Sequence, residues 1–138
     1  MNNTKYILIE FSPYAAANQI VYYASCVVKH GYIPILAHVE RYASLFENNK
    51  WISTLRDVGC HLQINAYSLQ NERNVRIKDC VRKLLAENKV SFAGSDAHRT
   101  NHRPYNIESG IDYIYKNCTK EYADNICYKN AEKLLNLK

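Results

Sequence analysis

Four glycines and three prolines in 138 residues are too few for a collagen-like, low-complexity or disordered chain, and a composition 47% hydrophobic and 22% charged agrees. No apolar run approaches the ~20 residues that a membrane-spanning helix needs, and no basic segment precedes the first apolar one. A cytoplasmic protein with no membrane insertion is therefore expected. Cysteine pairing signals are missing too: Cys26, Cys60, Cys80, Cys118 and Cys127 are odd in number and form no C-x-x-C pair, which argues for reduced thiols. Cys80 and Cys118 fall in apolar helical stripes and Cys60 precedes a strand, so they read as small buried hydrophobes. No cysteine has an arginine six positions later, which removes the thiolate phosphatase loop. Glycine-rich phosphate loops and the H-E-x-x-H zinc motif are likewise absent. Positive charge is not blocked: 18 Lys and Arg against 13 Asp and Glu give +5 spread along the chain, so no nucleic-acid partner is expected.

What is present is a regular alternation. Four short apolar or β-branched runs, Tyr6 to Glu10, Ile33 to Ala37, His61 to Asn65 and Val90 to Gly94, start 27, 28 and 29 residues apart. Between them Ile20, Tyr23, Ala24, Val27 and Val28 follow helical spacing, as do Ile77, Cys80, Val81, Leu84 and Leu85. Ser12-Pro13 is expected to cap and open the first helix, and Gly31, Gly59 and Asn88 to end helices before the next strand. Two further helices are expected over Ile107 to Asn117 and Lys120 to Tyr128, with Asn130 capping a last short one. Strands that alternate with helices pair in parallel through crossovers, which makes this an α/β chain of one domain, residues 1–138. A closed barrel takes about eight strands and ~250 residues, so four units form either a small open sheet or part of a barrel. An open edge of that kind invites pairing with another copy, so a homo-oligomer through the edge is an expectation.

In such folds chemistry collects beyond the carboxyl ends of the strands. Here those ends carry Glu10, then His38-Val-Glu40-Arg41, then Asn65-Ala-Tyr67, then Ser95-Asp96-Ala-His98, with Arg99, His102 and Arg103 following. Each has a bland reading beside the functional one: Glu10 as a helix cap or lysine partner, His38 as a structural histidine, and Glu40 with Arg41 as a solvated ion pair. Asp96-x-His98 is sharper, because two residues apart on an extended strand end point the same way. Four polar strand ends in succession favour a metal centre beside an anion-binding site. Tyr14, Tyr42, Tyr67 and Tyr105 fall on the same rim, where they either stack on a phenyl ring or simply bury their own rings.

Leu8-Ile-Glu-Phe-Ser12, Ile35-Leu-Ala-His-Val-Glu-Arg-Tyr42, Gly59-Cys-His-Leu-Gln-Ile-Asn65 and Gly94-Ser-Asp-Ala-His98 with Arg103-Pro104 resemble the manganese-dependent bacterial tyrosine phosphatases of capsule and exopolysaccharide loci. These belong to the polymerase and histidinol phosphatase (PHP) superfamily. The resemblance implies a partial (β/α) PHP-type barrel lacking its N-terminal strands, a phosphoric monoester hydrolase, and a phosphotyrosine protein substrate, in particular a bacterial tyrosine kinase of polysaccharide synthesis. It makes Glu10, His38, Asp96 and His98 metal ligands and Arg41 and Arg103 the phosphate-gripping residues. The metal is manganese by resemblance, while the mixed oxygen and nitrogen donors suit iron or zinc as well. Family members open with an H-x-H motif that this chain does not contain, so the resemblance implies a truncated domain whose full metal cluster one copy cannot complete. The alternatives are a non-catalytic remnant that oligomerises and a PHP phosphoesterase acting on small phosphate esters.

Overall fold

The four apolar runs form four strands in a computed structural model that describes residues 3–48, 50–70, 74–97 and 107–135. These are β1 (Tyr6–Ile9), β2 (Ile33–Leu36), β3 (His61–Asn65) and β4 (Phe92–Gly94). They pair in parallel in the order β1-β2-β3-β4, with Leu8 opposite Ile35, Ile35 opposite His61, and Asn65 opposite Gly94. The crossovers are α1 (Ala17–Lys29), α2 (Lys50–Asp57) and α3 (Val75–Ala86). Short 3₁₀ turns over Val39–Arg41, Ala43–Phe46 and Ala66–Gln70 follow β2 and β3. The result is an α/β fold with an open parallel sheet, as expected for part of a (β/α) barrel.

Strand alternation sorts the side chains onto two faces. Leu36, Leu62 and Ile64 join Ile20, Ala24, Ile52, Leu55, Val81, Leu84 and Leu85 of the helices in one buried core. Leu8, Glu10, Gln63, Asn65 and Phe92 look the other way, into a cavity that Ile126, Cys127 and Ala131 also line. Helix endings follow the residues expected to make them, since Gly31, Gly59 and Asn88 have φ of +81°, +88° and +53°, and the left-handed region stops a helix. The core stripe of α1 is only half used: Ile20 and Ala24 are buried, whereas Tyr23 is 54% exposed. Among the described residues β1 has one strand neighbour, so the helix beyond it has less sheet to cover.

Three boundaries differ from the sequence reading. Ser12 and Pro13 do not open α1: Ser12 accepts the Ala15 N–H at 2.9 Å in a local turn, and the helix starts at Ala17 with no side-chain cap. β3 has its expected bounds, while β1, β2 and β4 are shorter by a residue or two, although backbone bonds from Ala37 N to Ile9 O and from Ser91 N to Leu62 O continue their ladders. The C-terminal region is α4 (Glu108–Asn117) and then α5 (Lys120–Asp124), a π turn (Asn125–Lys129) and α6 (Asn130–Leu135). Asn130 is not the N-cap of α6 but its first residue. Its backbone is helical, and its side-chain amide donates to Ser91 O at 2.9 Å, fastening the helix to the approach of β4. Tyr122 adds a second tie, its hydroxyl accepting from Val90 N and donating to Val90 O, and burial pushes that phenol up to about 12. The π turn is held by Asp124, which accepts from Lys120, Lys129 and Tyr115.

The cysteines are free thiols in the structure, Cys60 buried and the others partly so. Burial pushes Cys60 up to about 12 and Cys127 to about 11, so neither is a thiolate near neutral pH.

Two expectations follow. Gly110 presses α4 onto the 3₁₀ turn after β3: a Cβ there would lie 2.2 Å from Ala66 O. Gly110→Ala should therefore lower the unfolding free energy by about 1–3 kcal/mol in urea titrations, and an unchanged midpoint would refute the contact. His61 Nδ1 lies 3.1 Å from Ser91 Oγ, and that oxygen already accepts from Arg56 at 2.8 Å and from Leu62 N at 3.4 Å. The one hydroxyl proton then goes to His61, which keeps the imidazole neutral. Burial first and the Arg56 charge second hold the His61 pKa below its ordinary value. Since the folded form binds fewer protons there, its contribution is complete above about pH 6.5 and is lost as pH falls below that. Thermal midpoints between pH 7 and 5 should drop more in the unsubstituted chain than in His61→Asn.

Candidate metal and phosphate site

The carboxyl ends of the strands bring Glu10, His38, Asn65 and Asp96 to one cavity of about 360 Å³, which Arg41 does not line. Glu10 follows β1, and its Oε1 lies 2.9 Å from His38 Nε2. The pair is asymmetric, the glutamate side chain 66% exposed and the imidazole 6%. The bland readings of Glu10 as a cap or a lysine partner give way to this contact. His38 sits where the chain turns out of β2 with φ +35° and ψ +56°, a left-handed conformation that is strained for a residue with a Cβ. Gln63 Oε1 on β3 accepts the His38 N–H at 2.7 Å and fixes that turn.

Arg41 and Asp96 form a second contact, Nη2 to Oδ2 at 2.7 Å, both partly shielded from solvent. Asn65 Nδ2 donates to the same Asp96 oxygen at 3.3 Å. Asp96 itself has φ +52° and lies beyond the end of β4, so the extended alternation argued for Asp96-x-His98 does not hold at its first residue. His98 and Arg103 lie outside the described residues.

Glu40 is not the solvated partner of Arg41. It is 3% exposed, and its Oε1 accepts from Asn65 N at 3.1 Å and from Ser68 Oγ at 2.8 Å. Burial pushes its carboxyl up, while the bonds from Ser68 and Asn65 and the Arg41 charge pull the other way. Tyr42 is fully buried, its hydroxyl accepting the Phe11 N–H at 3.1 Å, so it is no rim stacking residue; Tyr14 and Tyr67 are exposed, and Tyr105 lies outside the described residues. Gln63 and Ser68 are the members of this network that the strand ends did not single out. Gln63 stands two residues before Asn65 and therefore on the same face, which is the one signal that marks it.

As a cation site the arrangement is partial. Glu10 and His38 offer an oxygen and a nitrogen 2.9 Å apart, and His38 Nδ1 is buried without a hydrogen-bond partner among the described residues. Such a pair fits a divalent metal of the first transition row. Asp96 lines the same cavity but is engaged by Arg41 and Asn65. Among the described residues no three ligand-type side chains converge closely enough to hold an ion.

Comparison with known proteins gives a consistent result. The family model described as capsular polysaccharide synthesis, CpsB/CapC, matches residues 1–136. The tyrosine-protein phosphatase CpsB of Streptococcus agalactiae is 34% identical over 140 residues, covering 98% of this chain and 58% of that protein. The tyrosine-protein phosphatase YwqE of Bacillus subtilis is 33% identical over 142 residues, covering 98% of this chain and 53% of its own length. A solved structure described as YwqE from Bacillus subtilis and CpsB from Streptococcus pneumoniae, metal-dependent tyrosine phosphatases, superposes with a TM-score of 0.86 at 30% identity. That match covers 99% of this chain and 55% of the other. The chain thus spans a little over half the length of these relatives.

Gln63 is the test of how the site is held. Gln63→Met keeps the length of the side chain and removes the acceptor, leaving the His38 N–H buried and unpaired. A loss of about 1–3 kcal/mol in urea unfolding is expected. A change within ~0.5 kcal/mol, the range of an ordinary surface substitution, would mean that the His38 turn stands without it.

Proposed function

We propose, given that the chain belongs to the CpsB/CapC family of capsular polysaccharide synthesis, that it acts as a metal-dependent protein-tyrosine phosphatase in the control of that synthesis. The observation that carries the reading is the meeting of Glu10, His38 and Asp96 in one cavity at the carboxyl rim of the sheet, with Arg41 bonded to Asp96. Relatives named as tyrosine phosphatases over nearly the whole of this chain support it.

The residues divide by chemistry. Glu10, His38, Asp96 and His98 would hold the metal, manganese with iron or zinc as alternatives. A bound divalent cation supplies Lewis acidity to the phosphoryl group and to water near neutral pH. Arg41, whose guanidinium already bonds one carboxylate, offers the fork geometry that pairs with phosphoryl oxygens, and Arg103 is assigned the same part. Arg41 therefore binds and orients the monoester and offsets its charge. The substrate is a phosphotyrosine protein, and a bacterial tyrosine kinase of polysaccharide synthesis is the proposed partner. The site of action is the cytoplasm; no helix among the described residues is long and apolar enough to cross a membrane.

A second reading has its own support. Among the described residues β1 has one strand neighbour, so its other edge offers unpaired backbone groups to a second copy, the arrangement of a non-catalytic domain that pairs with itself.

Hydrolysis of a phosphotyrosine peptide by the full chain, with and without Mn²⁺, decides between them. Turnover that requires metal and falls at least ~10²-fold in Asp96→Asn is expected. No metal-dependent turnover from folded protein would leave the non-catalytic reading standing. Faster turnover on small phosphate esters than on the peptide would assign a different substrate class.

A further inference from the structure

Glu40 does not line the cavity that Glu10, His38 and Asp96 share, yet it is among the few charged side chains that the fold buries. A core position needs only volume, and an apolar side chain supplies that without the cost of desolvating a carboxylate. What the carboxylate adds is direction. Its Oε1 accepts from Asn65 N at 3.1 Å and from Ser68 Oγ at 2.8 Å, which ties the turn after β2 to the end of β3 and to the 3₁₀ turn that follows.

Those ties continue into the site. Asn65, held at its backbone by Glu40, donates through its side chain to Asp96 Oδ2 at 3.3 Å. Arg41, the next residue in the chain after Glu40, donates to that same oxygen at 2.7 Å. Glu40, Asn65, Asp96 and Arg41 thus form a closed ring of three hydrogen bonds and one peptide link. Breaking the ring at Glu40 frees the turn that carries Arg41 and releases the backbone of the residue that steadies Asp96.

We infer that Glu40 is a positioning residue, whose carboxylate holds the Arg41 guanidinium and the Asp96 carboxylate in register through Asn65. The inference rests on the proposed function, in which Arg41 serves phosphate and Asp96 serves the metal. Glu40 touches neither, and acts through its neighbours as the outer partners of metal ligands do.

The test uses the full chain and reads Arg41 directly. Its guanidinium protons, held by Asp96, are followed by NMR hydrogen exchange. In Glu40→Ala they should exchange about tenfold faster, the factor that corresponds to one lost hydrogen bond. Glu40→Gln keeps an oxygen at the Oε1 position and should restore the slow exchange. Unchanged exchange in folded Glu40→Ala overturns the inference. Should that variant fail to fold, Ser68→Ala removes one of the two bonds; it should also speed Arg41 exchange, and no change there overturns the inference equally. In peptide hydrolysis with Mn²⁺, Glu40→Ala should raise KM about tenfold, and add nothing further in an Arg41→Ala background. Fully additive effects would mean that Glu40 acts elsewhere. An unsubstituted chain that fails to hydrolyse the peptide strikes at the proposed function alone, and the exchange result still decides whether Glu40 positions Arg41.

Discussion

Strands that pair in parallel can be joined only by crossovers over the sheet, so each strand here runs toward the same rim. This one constraint assembles the site. Glu10, His38, Asn65 and Asp96 are separated by 28, 27 and 31 positions in the chain, and meet because each follows or ends a strand in the same sheet. No local propensity brings Glu10 within 2.9 Å of His38; the register of β1 on β2, Ile9 opposite Leu36, does. The same constraint explains why the two faces differ so sharply. One is closed by α1, α2 and α3 over a continuous apolar core, while the other keeps Gln63, Asn65 and Glu10 beside a cavity.

The rim is held by side chains reaching between strand ends rather than by regular secondary structure. His38 and Asp96, the two residues at the centre of the site with positive φ, are each tethered from β3, by Gln63 and Asn65 respectively. Left-handed backbone at a residue with a Cβ persists only where its surroundings over-determine it, and β3 is the strand whose side chains do so here. Gly94 belongs to the same economy of space, because a Cβ at that position would lie 2.8 Å from Gln63 Nε2 and displace the side chain that fixes His38.

The sequence made the repeat, the helix stops and the strand-end residues legible, since each depends on neighbours a few positions away. Gly31, Gly59 and Asn88 end helices for reasons contained in their own backbones. The start of α1 departs from its sequence signature because Ser12 and Pro13, which look like a helix opening, form a local turn instead. The C-terminal π turn was invisible for a different reason: Asp124 gathers Lys120, Lys129 and Tyr115, and Asn130 reaches Ser91, and contacts of that kind leave no periodic trace. Glu40 shows the limit most clearly. In the sequence it is a charge next to an arginine, the usual mark of a solvated pair, and only the packing of β3 and its following turn against it makes it a buried acceptor.

That burial is costly, and the cost bears on what the residue is for. A carboxyl with one oxygen accepting twice and the other buried without a partner among the described residues is less well solvated than it would be in water. Burial accordingly pushes it toward the neutral form, against the pull of Ser68, Asn65 and Arg41. Were stability alone at stake, an apolar side chain packed against α3 would serve better. The same physics that makes Glu40 expensive makes its two bonds directional, because a low-dielectric surrounding strengthens each bond and penalises its loss. A turn anchored in this way gives Arg41 and Asp96 fewer alternative arrangements, and a rim made of loops acquires the rigidity that the strands beneath it have by default.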